Sequence, residues 1–103
     1  MKIKSVWTNK KTRQLSYVLS KISNEKTIQN FLRDVMTEKE IIEIASRLQA
    51  AKMLNEKINY EAVIAKTNLS SRTVARISKW LKNGCKGYIE AIKIINKNHR
   101  ITS

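Results

Sequence analysis

No proline interrupts this 103-residue chain, and its only two glycines, Gly84 and Gly87, fall near the end. Proline breaks a helix by removing a donor and clashing with the preceding turn, and glycine is the usual residue at a helix stop. A chain lacking both over its first 83 residues can run as helix wherever its apolar residues have helical spacing. Leu15, Val18, Leu19 and Ile22 form one such set, and Ile28, Phe31, Leu32 and Val35 a second. Ile41, Ile44, Ala45 and Leu48 form a third, and Tyr88, Ala91, Ile92 and Ile95 a last. Recurrence at three and four residues places each set on one helix face, and no strand alternation competes with it. The expected fold class is all-α, with about six helices.

Polar residues mark where these helices start. Ser23-Asn24 opens the second. Thr37-Glu38-Lys39-Glu40 is a capping box, in which the threonine oxygen accepts from the N3 amide and Glu40 reaches back to the threonine N–H. That third helix, over about 37–56, is the longest, followed by helices near 60–67, 71–82 and 86–97. Residues 1–11, with Lys2, Lys4, Lys10 and Lys11 and only Ile3, Val6 and Trp7 as apolar anchors, read as a basic flexible arm. Residues 12–103 read as a single helical domain.

Charge narrows the partner. The net charge of +13 is unevenly spread: residues 1–24 hold six basic and no acidic side chains, 25–54 five of each, and 55–103 ten against three. Two basic ends around a neutral middle favour an anionic partner. Double-stranded DNA is favoured over a membrane surface, because each lysine or arginine on a polyphosphate releases counterions. No stretch is long and apolar enough for a membrane span, and the N-terminus lacks a signal peptide's apolar run, so a cytoplasmic location without membrane contact is expected. One cysteine, Cys85, and one histidine, His99, are too few for a disulfide or a zinc site, and no metal is expected. Cys85 reads as a small filler between the glycines. Glu38, Glu40 and Glu43 lie on a lysine-interleaved helix and His99 in a tail, so no acid–base cluster supports an enzyme.

The stretch "TNLSSRTVARISKWLKNG", residues 67–84, gives the charge a purpose. A short helix, "YEAVIAKT", precedes a turn at Asn68-Leu69, and asparagine is one of the few non-glycine residues that enters the left-handed region cheaply. Ser70 is placed to cap the next helix. Val63, Leu69, Val74 and Ile77 have the spacing to pack two crossed helices, which leaves Ser71, Arg72, Ala75, Arg76 and Lys79 facing outward. This is a helix-turn-helix, whose second helix presents its first turns to the major groove. Arginine there can grip guanine with two hydrogen bonds, and hydroxyls can reach base edges or phosphates. Ser70, Ser71, Arg72, Thr73, Arg76 and Lys79 are the candidate DNA-binding residues.

From "TIQNFLRDVMTEKEIIEIASRLQAAKMLNE" through "TNLSSRTVARISKWLKNG" the chain resembles the Trp repressor family, and within it the TrpR-like YerC/YecD branch, over about residues 12–96. The resemblance implies an intertwined all-helical homodimer with interlocking N-terminal helices and two reading heads about one DNA turn apart, as in the Trp repressor itself. Ser71, Arg72 and Thr73 fall where the family's recognition helix approaches base edges. Arg76 falls on the arginine that packs against the bound amino acid, Arg47 on the matching arginine of the long helix, and Thr37 on the helix-starting threonine beside the pocket. Thr37, Arg47 and Arg76 are therefore the candidate ligand pocket. Two positions depart from the family: Ile77 replaces a glycine next to the ligand, and Trp80 a small serine near its amino group. Bulk at both shrinks the pocket, so no cofactor is expected and an amino-acid corepressor is disfavoured. Arg47 and Arg76 then serve phosphate or interhelix contacts. The expected function is a sequence-specific DNA-binding transcriptional regulator, a repressor reading a palindromic operator. The alternative is a nonspecific basic nucleic-acid-binding or protein-docking helical module.

Overall fold

The structure, a computed structural model, describes residues 6–97. The described residues include six complete helices and no strand. These are α1 (Lys10–Lys21), α2 (Glu25–Val35), α3 (Glu38–Asn55), α4 (Tyr60–Thr67), α5 (Ser71–Asn83) and α6 (Gly87–Lys97). The helical spacing of the sequence is thus realised as helices throughout. No helix among the described residues is long and apolar enough to cross a membrane.

Two compact units divide the chain, Met1–Ile41 and Ile42–Ser103. In the first, each helix starts on a polar cap. The Lys11 N–H donates to Asn9 Oδ1 (2.7 Å), and the Thr27 N–H donates to Asn24 Oδ1 (3.0 Å). Asn9 starts α1 at Lys10, so Lys10 and Lys11 belong to this helix, while Lys2, Ile3 and Lys4 of the expected arm lie outside the described residues. The capping box forms in both directions: the Glu40 N–H donates to Thr37 Oγ1 (3.1 Å), and the Thr37 N–H donates to Glu40 Oε1 (2.9 Å). Both α1 and α2 are amphipathic, yet neither buries a residue. Leu15 is 45% exposed and Tyr17 64%.

The second unit has a closed core. Ala50 and Ala51 of α3, Val63 of α4, and Val74 and Ile77 of α5 have no exposed surface, and Ile92 of α6 is 3% exposed. Met53, Leu54, Ile58, Ile64, Leu69, Leu81 and Tyr88 pack around them. Successive residues of a helix point about 100° apart, so burying both alanines means that α3 is covered over a broad arc.

α3 ends without glycine. The Ile58 N–H donates to the Met53 carbonyl (3.1 Å) and the Lys57 N–H to the Leu54 carbonyl (3.0 Å), while Lys57 adopts φ 67°. This is the Schellman arrangement, with a lysine where glycine is preferred and with Met53 and Ile58 both against the core.

Candidate nucleic-acid interface

The helix-turn-helix is assembled from α4, a three-residue turn and α5. Asn59 caps α4 by accepting from the Ala62 N–H (2.9 Å). The helix stops at Asn68, which adopts φ 60° and ψ 19° as its N–H donates to the Ile64 carbonyl (2.9 Å). A left-handed residue reverses the chain within one peptide, and asparagine does so at lower steric cost than most residues. The turn is fastened by Thr67, the one buried polar side chain among the described residues. Its hydroxyl donates to the Val63 carbonyl (2.7 Å) and accepts from the Leu69 N–H (3.3 Å). Leu69 packs against the core below. Sequence reasoning missed Thr67, whose clue is a threonine four residues after a core valine, where its hydroxyl can bond the i−4 carbonyl.

Ser70 caps α5. The Thr73 N–H donates to Ser70 Oγ (3.1 Å), and the Ser70 hydroxyl donates to Thr73 Oγ1 (3.0 Å). Thr73 is half-buried, so these two hydroxyls serve the start of the helix. Val74 and Ile77 anchor α5 in the core, while Ser71, Arg72, Ala75, Arg76 and Lys79 are all exposed on the other side. Inner and outer faces therefore divide as the spacing predicted.

The outer face is electropositive. α5 contains no acidic residue, and its N-terminus adds the positive end of the helix dipole. Three ion pairs form among the described residues, Arg47–Glu43, Lys52–Glu56 and Lys93–Glu90, and none involves Arg72, Arg76 or Lys79. These cations stand at i, i+4 and i+7, which aligns them along one side of the helix. A surface of this kind suits a polyanion, and nothing in it resembles a reaction centre.

At the far end of α5, the Gly84 N–H donates to the Trp80 carbonyl (2.9 Å). A Cβ at Gly84 would lie 2.5 Å from that carbonyl oxygen, so the close approach requires glycine. Cys85, the small residue between the two glycines, is exposed in the turn that follows.

The residues of the expected ligand pocket have other engagements. Thr37, in the first unit, closes the capping box of α3. Arg47 is half-buried, and its Nη2 donates to Glu43 Oε2 at 2.9 Å. It also faces Tyr88, whose phenol burial pushes above the ordinary 10.0 while the Arg47 charge opposes that rise. Arg76 is exposed on the outer face. Ile77 is the largest fully buried side chain of the core. An isoleucine that fills the space on the inner side of α5 does not fit an amino acid bound there.

A profile of the Trp repressor protein matches residues 10–96, nearly the whole described chain. The chain belongs to the Trp repressor family. That family is one of DNA-binding regulators. YerC, an uncharacterized protein of Bacillus subtilis (strain 168), is 30% identical over 73 residues, which span 71% of this chain and 70% of that protein. The crystal structure of a TrpR-like protein from Eubacterium eligens ATCC 27750 superposes with a TM-score of 0.80 at 27% identity, covering 87% of this chain and 93% of that one. A candidate Trp repressor from Staphylococcus aureus superposes with a TM-score of 0.83 over 95% and 97% of the two chains, and at 23% identity it speaks for the fold alone. The YerC-type, TrpR-like reading of the sequence is therefore upheld, as is the all-helical fold.

Proposed function

We propose that this Trp repressor family member is a sequence-specific DNA-binding transcriptional repressor that reads a palindromic operator as a homodimer. The observation that carries the reading is the outer face of α5, where Arg72, Arg76 and Lys79 stand exposed and unpaired with acid beside a capped helix start. Arg72 projects from the first turn and reads a base edge, with Ser71 beside it. Lys79, two turns on, meets the phosphate backbone, and Arg76 lies between these roles. Ser70 and Thr73 hold the first turn in shape. The basic residues 1–11 add phosphate contacts without sequence preference, and residues 12–103 act as one DNA-binding domain.

Dimerisation is supported by the stripes of α1 and α2, of which α1's Leu15, Val18 and Leu19 are exposed and α2's Ile28, Phe31 and Leu32 only half-buried. An isolated amphipathic helix is marginal in water, and most helical stability comes from packing of the apolar face. A second copy supplies matching stripes, and two-fold symmetry then demands a palindromic site. Regulation by a free amino acid is not part of this reading, because Ile77 occupies the inner side of α5.

The test is selection of bound fragments from genomic DNA by the full chain, with and without added amino acids. Convergence on one palindrome that survives excess competitor DNA, unchanged by amino acids, is the expected result. Loss of all binding to competitor supports the nonspecific alternative, since nonspecific complexes rest on backbone charge alone.

A further inference from the structure

The cationic outer face of α5 contains one apolar position in its first two turns. Ala75 is exposed, with Arg72 one turn before it, Arg76 next to it and Lys79 one turn after. At about 100° per residue, Ala75 points about 60° from Arg72 and about 40° from Lys79. Ser71 lies about 40° to its other side. Ala75 thus sits near the middle of the outward arc, flanked by longer side chains on one side and a hydroxyl on the other. Thr73, another short side chain of these turns, is half-buried and bonded to the cap.

On the reading proposed above, from which this inference follows, the middle of that arc faces the groove floor. A methyl side chain there allows the closest approach of helix to bases but offers no hydrogen bond. A polar base edge opposite it would lose water without receiving a partner, which is unfavourable. The major groove displays one apolar feature, the 5-methyl group of thymine. We infer that Ala75 is a specificity-determining residue that selects thymine by methyl contact, at a position next to the guanine gripped by Arg72. The two residues divide the labour by chemistry: arginine rewards two acceptors, and alanine tolerates only an apolar neighbour.

Deoxyuridine differs from thymidine in DNA only by lacking that methyl, which makes the inference testable atom by atom. With the selected palindrome in hand, each thymine of one half-site is replaced singly by deoxyuridine. Affinity is then measured for the unaltered chain, Ala75→Ser and Ala75→Gly. For the unaltered chain we expect one replacement to weaken binding about three- to fivefold, the order of one methyl returned to water. The same replacement should change the affinity of Ala75→Gly less than twofold, and Ala75→Ser should lose its preference for thymine over cytosine at that position. Helical circular dichroism of both variants separates this from unfolding, and the serine variant keeps a side chain if glycine loosens the helix. Equal losses in all three proteins at every thymine, or no loss anywhere, overturn the role of Ala75 while leaving the repressor reading intact. Failure of the selection to yield any motif overturns both.

Discussion

The two units of this chain handle their apolar surface in opposite ways. Ile42–Ser103 closes a core around Ala50, Ala51, Val63, Val74, Ile77 and Ile92, and carries the candidate DNA-reading helix on top of it. Met1–Ile41 has helices of clear amphipathic pattern, α1 and α2, with no buried residue in either. Amphipathicity is thus not evidence of a core within the same chain. It states that a helix has a face to cover, and the partner can be another part of the fold or another copy. The reading unit is packed by its own residues, so the orientation of α5 does not wait for a partner chain. On the proposed reading, a second copy covers the faces of the N-terminal unit.

The largest expected effect tests the self-sufficient side of this contrast. Ile77→Ala removes the largest side chain at full burial and should destabilise by about 2–5 kcal/mol in chemical denaturation. DNA binding should fall with it, since Ile77 anchors the reading helix. A small loss would mean that α5 is held by something other than this core.

Leu15→Ser tests the other side. Each leucine covered at a dimer interface contributes about 1.5–3 kcal/mol per chain. The unaltered protein should sediment well above the 11.9 kDa of one chain, with an unfolding midpoint that rises with protein concentration, and the variant should lose much of that dependence. A mass of one chain for the unaltered protein would break the comparison, leaving the stripes of α1 and α2 without a partner.

Within the reading unit, Arg72→Ala and Lys79→Ala should separate base reading from backbone attraction. Arg72→Ala should reduce discrimination between the selected site and random duplex by about 1–3 kcal/mol. Lys79→Ala should weaken both alike and lower the salt slope by about one. Equal effects of Arg72→Ala on both duplexes would show that the outer face attracts DNA without reading it.

A smaller effect has the opposite sign. Lys57 holds φ 67°, where an L side chain is strained and glycine is not. Lys57→Gly should raise stability by about 0.5–1 kcal/mol without changing the unfolding cooperativity. Destabilisation would mean that the stem of Lys57 contributes packing that its exposure conceals. The smallest effect is at high pH. Tyr88 has its folded pKa raised, so its contribution is fully present below the ordinary tyrosine value near 10 and is lost as pH rises through the folded value. Tyr88→Phe should flatten that alkaline loss, and an unchanged alkaline limb would assign it elsewhere.

Most of the reading helix was legible in advance because its signals are local. Asn68 as the left-handed turn, Ser70 as the cap and the Thr37–Glu40 box depend on atoms within three or four residues, so sequence spacing suffices to place them. The inward Val74 and Ile77 and outward Ser71, Arg72, Ala75, Arg76 and Lys79 follow from helical period alone. Thr67 and Lys57 were not legible for different reasons. The spacing of Thr67 from Val63 allows the i−4 bond but does not tell that the side chain is buried, and a helix end without glycine removes the usual marker of a left-handed residue.

What the sequence by itself determined was therefore everything with short range: helical content, capping, the αL turn, the faces of α5 and its unopposed positive charge. Only the tertiary structure decided where the alanines and isoleucines of distant helices meet. The 3.6-residue period says which way a side chain points but not what it meets. Ala50 and Ala51 are ordinary helix formers in the sequence and become part of the core because residues of other helices close over them. Ile77 is an apolar residue of α5 in the sequence, and the convergence of α3, α4 and α6 makes it the side chain that fills the inner side of the reading helix.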